Sequence, residues 1–212
     1  MGTKTPNTFA QIASGYTNPD DPEFDKGYCD HDRTHLASFT LGTETPDLAG
    51  GVLSVLASRW RASGIVTIQS GSRIDVITGR DNALNGQRNQ RVNKVSDDWY
   101  ANPRTLNQYF NPAAFAQPAP GTFGNLMRNA LTGPSYWNVD LAISRQIGLL
   151  STQNLELRLE TFNLFNTFNW GIPGTELTAG GWQANFNAGT FGRTTTQAGA
   201  PRIIQLGVKY AF

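Results

Sequence analysis

The sequence predicts an all-β fold of antiparallel, up-and-down strands. Several segments alternate apolar and polar residues with a period of two, which is the spacing of side chains on the two faces of a strand. Glycine (22 residues) and proline (11 residues) are frequent, as in a chain with many turns. No apolar run approaches the roughly 20 residues that a membrane-spanning helix requires.

The alternating segments follow one another along the chain. The first is HLASFTLGTE, the second is WRASGIVTIQ, and RIDVITG predicts a short strand after it. Between the first two, VLSVLASRW fits either a helical turn or the approach to a strand. YWNVDLAISRQIG and NLELRLETFNLFN alternate next, and the chain ends on PRIIQLGVKYAF. These segments predict the principal strands.

Short and long connections separate the predicted strands. Residues 1–30 are polar and predict a loop, whereas residues 31–212 hold all the alternating segments. The connection near 148–153 is short, but the stretches at about 80–135 and 167–199 are long and rich in Gly and Asn. A structureless loop of such length is unusual in a compact soluble domain. Short turns at one end of the strands and long extracellular loops at the other are typical of an outer-membrane β-barrel.

Aromatic residues gather where the predicted strands begin and end. This placement is typical of the interfacial girdles of membrane barrels, although aromatics also cap the core of any sheet. We interpret three of them as interfacial aromatics, namely Trp60, Trp137 and Phe165.

The last strand keeps its pattern up to the carboxylate, where chain ends are usually frayed. A barrel wall has no free edge, so an ordered terminal strand is expected where such a wall closes. The apolar positions of this strand are Ile204, Leu206, Val208, Tyr210 and Phe212.

The opposite face of the predicted strands carries charge. Glu156 and Glu160 could form a catalytic carboxylate pair, but Arg158 lies between them on the same predicted face. A ladder of charges facing the lumen is the simpler interpretation. The lumen-facing candidates are Asp140, Glu156, Arg158 and Glu160.

The sequence offers little else that predicts chemistry. No serine lies in a nucleophile elbow, no catalytic triad is recognisable, and GRDNALNG lacks the lysine of a phosphate loop. The single Cys29 excludes an intramolecular disulfide, and a net charge of +1 gives no reason to expect a nucleic-acid partner. We therefore expect no enzymatic activity and no cofactor.

Three polar clusters allow competing interpretations. CDHDRTH could bind a metal through its Asp and His residues, but the segment leads into a strand, so that a polar rim at the strand entrance is favoured. The acidic NPDDPEFDKG lacks the pattern of a calcium loop and predicts a solvated loop. We interpret the basic residues Arg80, Arg88, Arg91 and Lys94 chiefly as soluble loop charges, with phosphate or substrate contacts as the alternative.

Five stretches resemble, in order, the C-terminal barrel part of the Oar-like branch of TonB-dependent outer-membrane transporters. They are DHDRTHLASFTL, RWRASGIVTIQSGSRIDVITGRDNALNG, YFNPAAFAQPAPGTFGNLMRNALTGPSYWNVDLAISRQI, LELRLETFNLFNTFNWGIP and FGRTTTQAGAPRIIQLGVKYAF. The final Phe212, with Tyr210 before it, is similar to the signature that the outer-membrane barrel assembly machinery reads.

The resemblance implies a location in the outer membrane and a share in nutrient uptake through a 22-stranded barrel with an N-terminal plug. The implied partners are outer-membrane lipid, the assembly machinery and, through the plug, TonB; the substrate is left open. The chain shows no plug, no TonB-contacting segment and no signal peptide, and its length supplies about five or six strands. We therefore expect a C-terminal fragment that forms a partial barrel wall.

Two other functions are compatible with the strand pattern. The first is a small complete barrel of about eight strands, acting as a porin-like protein or an adhesin. The second is a soluble β-sandwich that binds carbohydrate on its aromatic side chains.

Overall fold

The fold is taken from a computed structural model of the chain. The residues that the structure describes are 17–18, 20–47, 50–150, 153–178 and 181–212. Most of the polar stretch 1–30 that was predicted as a loop, residues 1–16, lies outside them.

Thirteen strands, one α-helix and two short 3-10 turns make up the described secondary structure. The 3-10 turns are Pro22–Asp25 and Pro112–Ala114, and helix α1 is Val52–Ala57. None of the described helices is long and apolar enough to cross a bilayer. The strands are β1 (Leu36–Glu44), β2 (Trp60–Gln69), β3 (Arg73–Ile77), β4 (Asn93–Lys94), β5 (Phe115–Ala116), β6 (Leu131–Thr132), β7 (Tyr136–Leu150), β8 (Gln153–Phe162), β9 (Asn169–Trp170), β10 (Thr175–Thr178), β11 (Gly181–Asn185), β12 (Gln197–Ala198) and β13 (Ile203–Ala211).

The chain divides into two units. The first contains the described residues up to residue 34, residues 70–135 and the described part of 170–198. The second contains residues 35–69, 136–169 and 199–212. Each unit is therefore assembled from three separate parts of the sequence.

The second unit is a five-stranded sheet with the order β1-β2-β7-β8-β13. Every neighbouring pair is antiparallel, which confirms the predicted all-β, up-and-down arrangement. The segment that fitted either a helix or a strand forms α1, between β1 and β2. Strands β1 and β13 are the two edges, and neither has an outer neighbour among the described strands.

The connections of this sheet differ at its two ends. At one end, residues 45–59 join β1 to β2, and residues 151–152 join β7 to β8. At the other end, residues 70–135 join β2 to β7, and residues 163–202 join β8 to β13. The predicted asymmetry between short and long connections is thus present in the strand topology, and we name these ends the short-turn end and the long-loop end.

The first unit contains a four-stranded sheet with the order β10-β11-β3-β6, in which β11 and β3 are parallel. This one parallel pair departs from the predicted antiparallel pattern, because strands from distant parts of the chain meet here. The unit has its own buried core, which includes Ile74, Val76, Val92, Phe110 and Leu131. The long connections at about 80–135 and 167–199 are therefore folded rather than structureless.

Candidate functional site

The five-stranded sheet separates polar from apolar side chains, because directly opposite residues of an antiparallel pair point to the same face. Leu206 of β13 lies opposite Leu159 of β8, whereas Lys209 lies opposite Glu156. The same alternation continues into β7, where Ser144 lies opposite Arg158. One face of the sheet is consequently polar and the other is apolar, as the alternation predicts.

The polar face contains a depression of about 520 Å³ with charged walls. Its lining includes Glu44, Arg61, Ser144, Glu156 and Arg158. Glu44 and Arg61 are cross-strand neighbours, and Arg61 Nε lies 3.1 Å from a carboxylate oxygen of Glu44. A concave surface of alternating charge suits contact with water or with a polar partner.

The predicted lumen-facing residues lie together on this polar face. Arg158 forms an ion pair of 2.9 Å with Glu160, and Glu156 continues the row along β8. Asp140 of β7 accepts hydrogen bonds from the Asn138 side chain at 2.7 Å and from the Asn163 amide at 2.9 Å. Arg158 therefore lies between the two glutamates in one row of charged side chains.

The apolar face is exposed rather than covered by a second layer. Leu206 is 83% exposed, Val208 is 71% exposed, and Leu41 at the opposite edge is 78% exposed. Removing one such side chain from water stabilises by about 1.5–3 kcal/mol, so a row of them favours an apolar surrounding. A sandwich would bury this face between two sheets. The exposure therefore argues against the soluble sandwich.

Aromatic rings mark both ends of the apolar face. Trp60 begins β2 at the short-turn end, where Tyr210 stacks on Phe212 with 5.7 Å between ring centroids. At the long-loop end, the ring centroids of Trp137 and Phe165 are 6.0 Å apart. The three predicted interfacial aromatics thus lie at the two ends of the strands.

The separation of these rings fits a membrane. Trp137 of β7 lies opposite Ile68 of β2. Ile68 is eight residues after Trp60 in the same strand. Eight residues span about 27 Å along a strand. With the usual strand tilt of about 40°, the rings are separated by about 20 Å across the bilayer, close to the roughly 25 Å apolar band of outer-membrane barrels.

The terminal strand is ordered almost to its last residue. β13 pairs with β8 from Ile203 to Ala211, and Phe212 follows with its side chain 92% exposed. Its apolar positions lie on the apolar face, and the strand ends at the short-turn end of the sheet. This placement agrees with a strand that borders a wall.

The first unit contains a buried ion pair that the sequence analysis did not identify. Asp25 is 4% exposed and Arg91 is 1% exposed, and their closest atoms are 2.8 Å apart. Arg91 also donates to the carbonyl oxygens of Leu126 and Phe24, and its guanidinium lies over the Phe24 ring at 4.1 Å. The interpretation of Arg91 as a soluble loop charge and of Asp25 as part of a solvated loop is therefore wrong.

Hydrogen bonds control the protonation of Asp25. Burial by itself would raise the pKa of this carboxyl, but the Arg91 guanidinium and the Thr17 amide, 2.6 Å from the carboxylate, lower the pKa below its usual value. Asp25 therefore remains ionised and keeps Arg91 paired.

Two further Arg–Asp pairs attach the same part of the chain. Arg128 Nη2 contacts both carboxylate oxygens of Asp30 at 2.8 and 2.9 Å, and Arg73 contacts Asp32 at 2.9 Å. With the Arg91–Asp25 pair, they fix residues 20–34 to the segment 70–135. No spacing along the chain marks these pairs, since their members are separated by 41 to 98 residues.

These pairs also bear on the metal interpretation of CDHDRTH. The carboxylates of Asp30 and Asp32 are engaged by arginines, while His31 and His35 are exposed. Across the described residues, no group of three or more His, Cys, Asp or Glu side chains is arranged to hold a metal ion. The segment directly precedes β1 in the chain.

The glycines of GRDNALNG serve a local turn. Asp81 accepts hydrogen bonds from the amides of Asn85 at 3.0 Å and Gly86 at 2.8 Å. Gly86 has a φ of +81°, a backbone conformation that glycine adopts without strain. The stretch is therefore a structural turn in the first unit.

Comparison with known proteins agrees with this geometry. The family model described as an outer membrane beta barrel domain matches residues 2–205. No curated protein and no solved structure matches the chain. The match covers nearly the whole sequence, including β1, β2, β7 and β8 in full and the first three residues of β13. The chain therefore belongs to the outer membrane beta barrel domain family, and it is a protein of the outer membrane.

Proposed function

We propose that this chain is the C-terminal barrel part of a TonB-dependent outer-membrane transporter of the Oar-like branch and serves nutrient uptake. The five sequence segments that resemble this branch, in family order, support the proposal. In this role the chain is not an enzyme and uses no cofactor. Its partners are outer-membrane lipid, the barrel assembly machinery and, through a plug domain, TonB.

The observation that carries the proposal is the direction of the two edge strands. Four antiparallel pairings separate β1 from β13, so these strands run in the same direction. Bacterial barrels of one chain have an even number of antiparallel strands. Because β1 and β13 run in the same direction, they cannot pair with each other in an antiparallel barrel. The five strands of the sheet therefore need an odd number of additional strands between β13 and β1 to give an even total. The described sheet therefore cannot close as an antiparallel barrel by itself, which is consistent with a share of a larger wall; a barrel of eight strands would need three further strands.

The long-loop end and the polar depression fit the same role. Long extracellular loops and a polar lumen are features of outer-membrane transport barrels. Here the long connections 70–135 and 163–202 leave the sheet at one end, and Glu44, Arg61 and Arg158 line its concave polar face. A substrate path beside this face would be lined by charge.

Energy-dependent uptake tests the proposal. Deleting the gene should abolish accumulation of one scarce nutrient, and deleting TonB should abolish the same uptake while the barrel remains in the membrane. The reading frame upstream should encode a plug and further strands. Conversely, if the purified 212-residue chain forms a stable ion-conducting pore in planar bilayers and uptake ignores TonB, the small-barrel alternative is correct.

A further inference from the structure

A single arginine lies on the apolar face of the sheet. Arg145 of β7 is directly opposite Trp60 of β2 on one side and Leu157 of β8 on the other. All three side chains therefore point to the face that carries the exposed leucines. A guanidinium among lipid-facing side chains requires an explanation, because moving its charge from water into hydrocarbon is unfavourable.

Among the residues that the structure describes, the guanidinium of Arg145 has an aromatic neighbour and forms no ion pair. Its central carbon lies 5.3 Å from the Trp60 ring centroid, within the range of a cation–π contact. Its Nε atom is shielded from water and has no hydrogen-bond partner among the described residues. Asp47, an acid of the connection between β1 and β2, is engaged by Arg59 at 2.8 Å. Arg145 thus contacts an aromatic ring but has no negative partner in the described part of the chain.

The depth of Arg145 in the membrane indicates the missing partner. An arginine on the lipid face is strongly destabilising at the bilayer midplane but costs little near the interfaces. Arg145 shares a row with Trp60 at the short-turn end, so it lies at the headgroup level. Short turns of outer-membrane barrels face the periplasm, and the leaflet on that side consists of phospholipid.

We propose that Arg145 and Trp60 form a binding site for the phosphate group of a glycerophospholipid in the periplasmic leaflet. The guanidinium donates charge-assisted hydrogen bonds to the phosphate oxygens, which guanidinium geometry suits. Trp60 holds the guanidinium from one side, and Leu157, 41% exposed, contacts the upper part of an acyl chain. This inference depends on the membrane position of the sheet and is independent of transport.

Native mass spectrometry of the protein purified from outer membranes in mild detergent tests the site. The probes are phosphatidylglycerol and digalactosyl diacylglycerol, which has similar tails but no phosphate. Arg145→Met removes the guanidinium and leaves a side chain suited to lipid. The matched control is Arg61→Met, since Arg61 lies one position from Trp60 but on the polar face, where it pairs with Glu44.

The wild-type protein should retain phosphatidylglycerol about tenfold better than the Arg145→Met variant, and Arg61→Met should behave as wild type. The galactolipid should bind no better to the wild type than to Arg145→Met. Equal retention of phosphatidylglycerol by wild type and Arg145→Met would overturn the proposal. Equal binding of phosphatidylglycerol and the galactolipid to the wild-type protein would also overturn it. Preferential binding of lipid A would show that the bound lipid does not come from the periplasmic leaflet. Arg145→Gln provides a second variant with the same expected loss.

Discussion

The buried pair of Asp25 and Arg91 gives the sharpest test of how the first unit is held together. Asp25→Asn leaves the guanidinium of Arg91, 1% exposed, without its counter-charge. Breaking a buried ion pair by removing one partner costs about 3–5 kcal/mol, because the remaining charge stays buried and uncompensated. We expect a loss of this size in the free energy of opening of the first unit.

Hydrogen exchange measured by mass spectrometry provides the assay, because it reports local opening without unfolding the sheet of the second unit. Amides in residues 20–34 and near Val92 should lose protection in Asp25→Asn. The matched control is Asp97→Asn, which breaks an exposed pair between Lys94 and Asp97 worth about 0–1 kcal/mol.

A double variant distinguishes the loss of the ion pair from the cost of leaving a single charge buried. Asp25→Leu combined with Arg91→Met replaces both charges by apolar groups, and such replacements are often neutral or stabilising by about 1–4 kcal/mol. The double variant should therefore be more stable than Asp25→Asn. If Asp25→Asn opens no more readily than Asp97→Asn, the pair does not hold the segment and the reasoning is refuted.

The remaining predictions concern pH, the lipid face and assembly. The pKa of Asp25 is lower in the folded state than in the unfolded state, where it is about 3.9. The contribution of Asp25 to stability is therefore present above about pH 3.9 and is lost as the pH falls through the lower folded-state pKa. Hydrogen-exchange protection of residues 20–34, measured from pH 6 to 3, should consequently fall only below about pH 4. Leu141→Arg, near the middle of the lipid face, should lower folding free energy in bilayers by about 2–4 kcal/mol, whereas Ala142→Arg on the polar face should not, as urea titration in vesicles would show; equal losses would contradict the face assignment. Phe212→Ala should reduce the folded fraction in outer membranes severalfold, as measured by heat modifiability on a gel. If the variant assembles as well as the wild type, Phe212 is not part of a signature that the assembly machinery reads.

The strands of the second unit were predictable because their signal is local. Alternation in β7 and β8 already places Leu157 and Arg158 on opposite faces, and the observed register keeps them there. The shared face of Glu156, Arg158 and Glu160 could be predicted for the same reason. Helix α1 was ambiguous, since its six residues are too few for periodicity to distinguish a helix from a strand.

The first unit was not predictable in the same way. Its strands β4, β5 and β6 have two residues each, too short to show a period. The role of Arg91 is equally invisible, since Asp25 lies 66 residues away. Nothing in the local sequence distinguishes a buried arginine from a soluble one.

The amino-acid sequence by itself determined the two-faced strands, the alternation of short and long connections and the aromatic ends, because side-chain direction in a strand is fixed by position along the chain. Only the tertiary structure decided that three Arg–Asp pairs attach residues 20–34 to the long connection 70–135, and that the Asp25–Arg91 pair among them is buried. It also decided that Arg145 of β7 lies beside Trp60 of β2. Both results depend on strands and segments that meet across long sequence separations, and such meetings are set by register and packing rather than by local pattern.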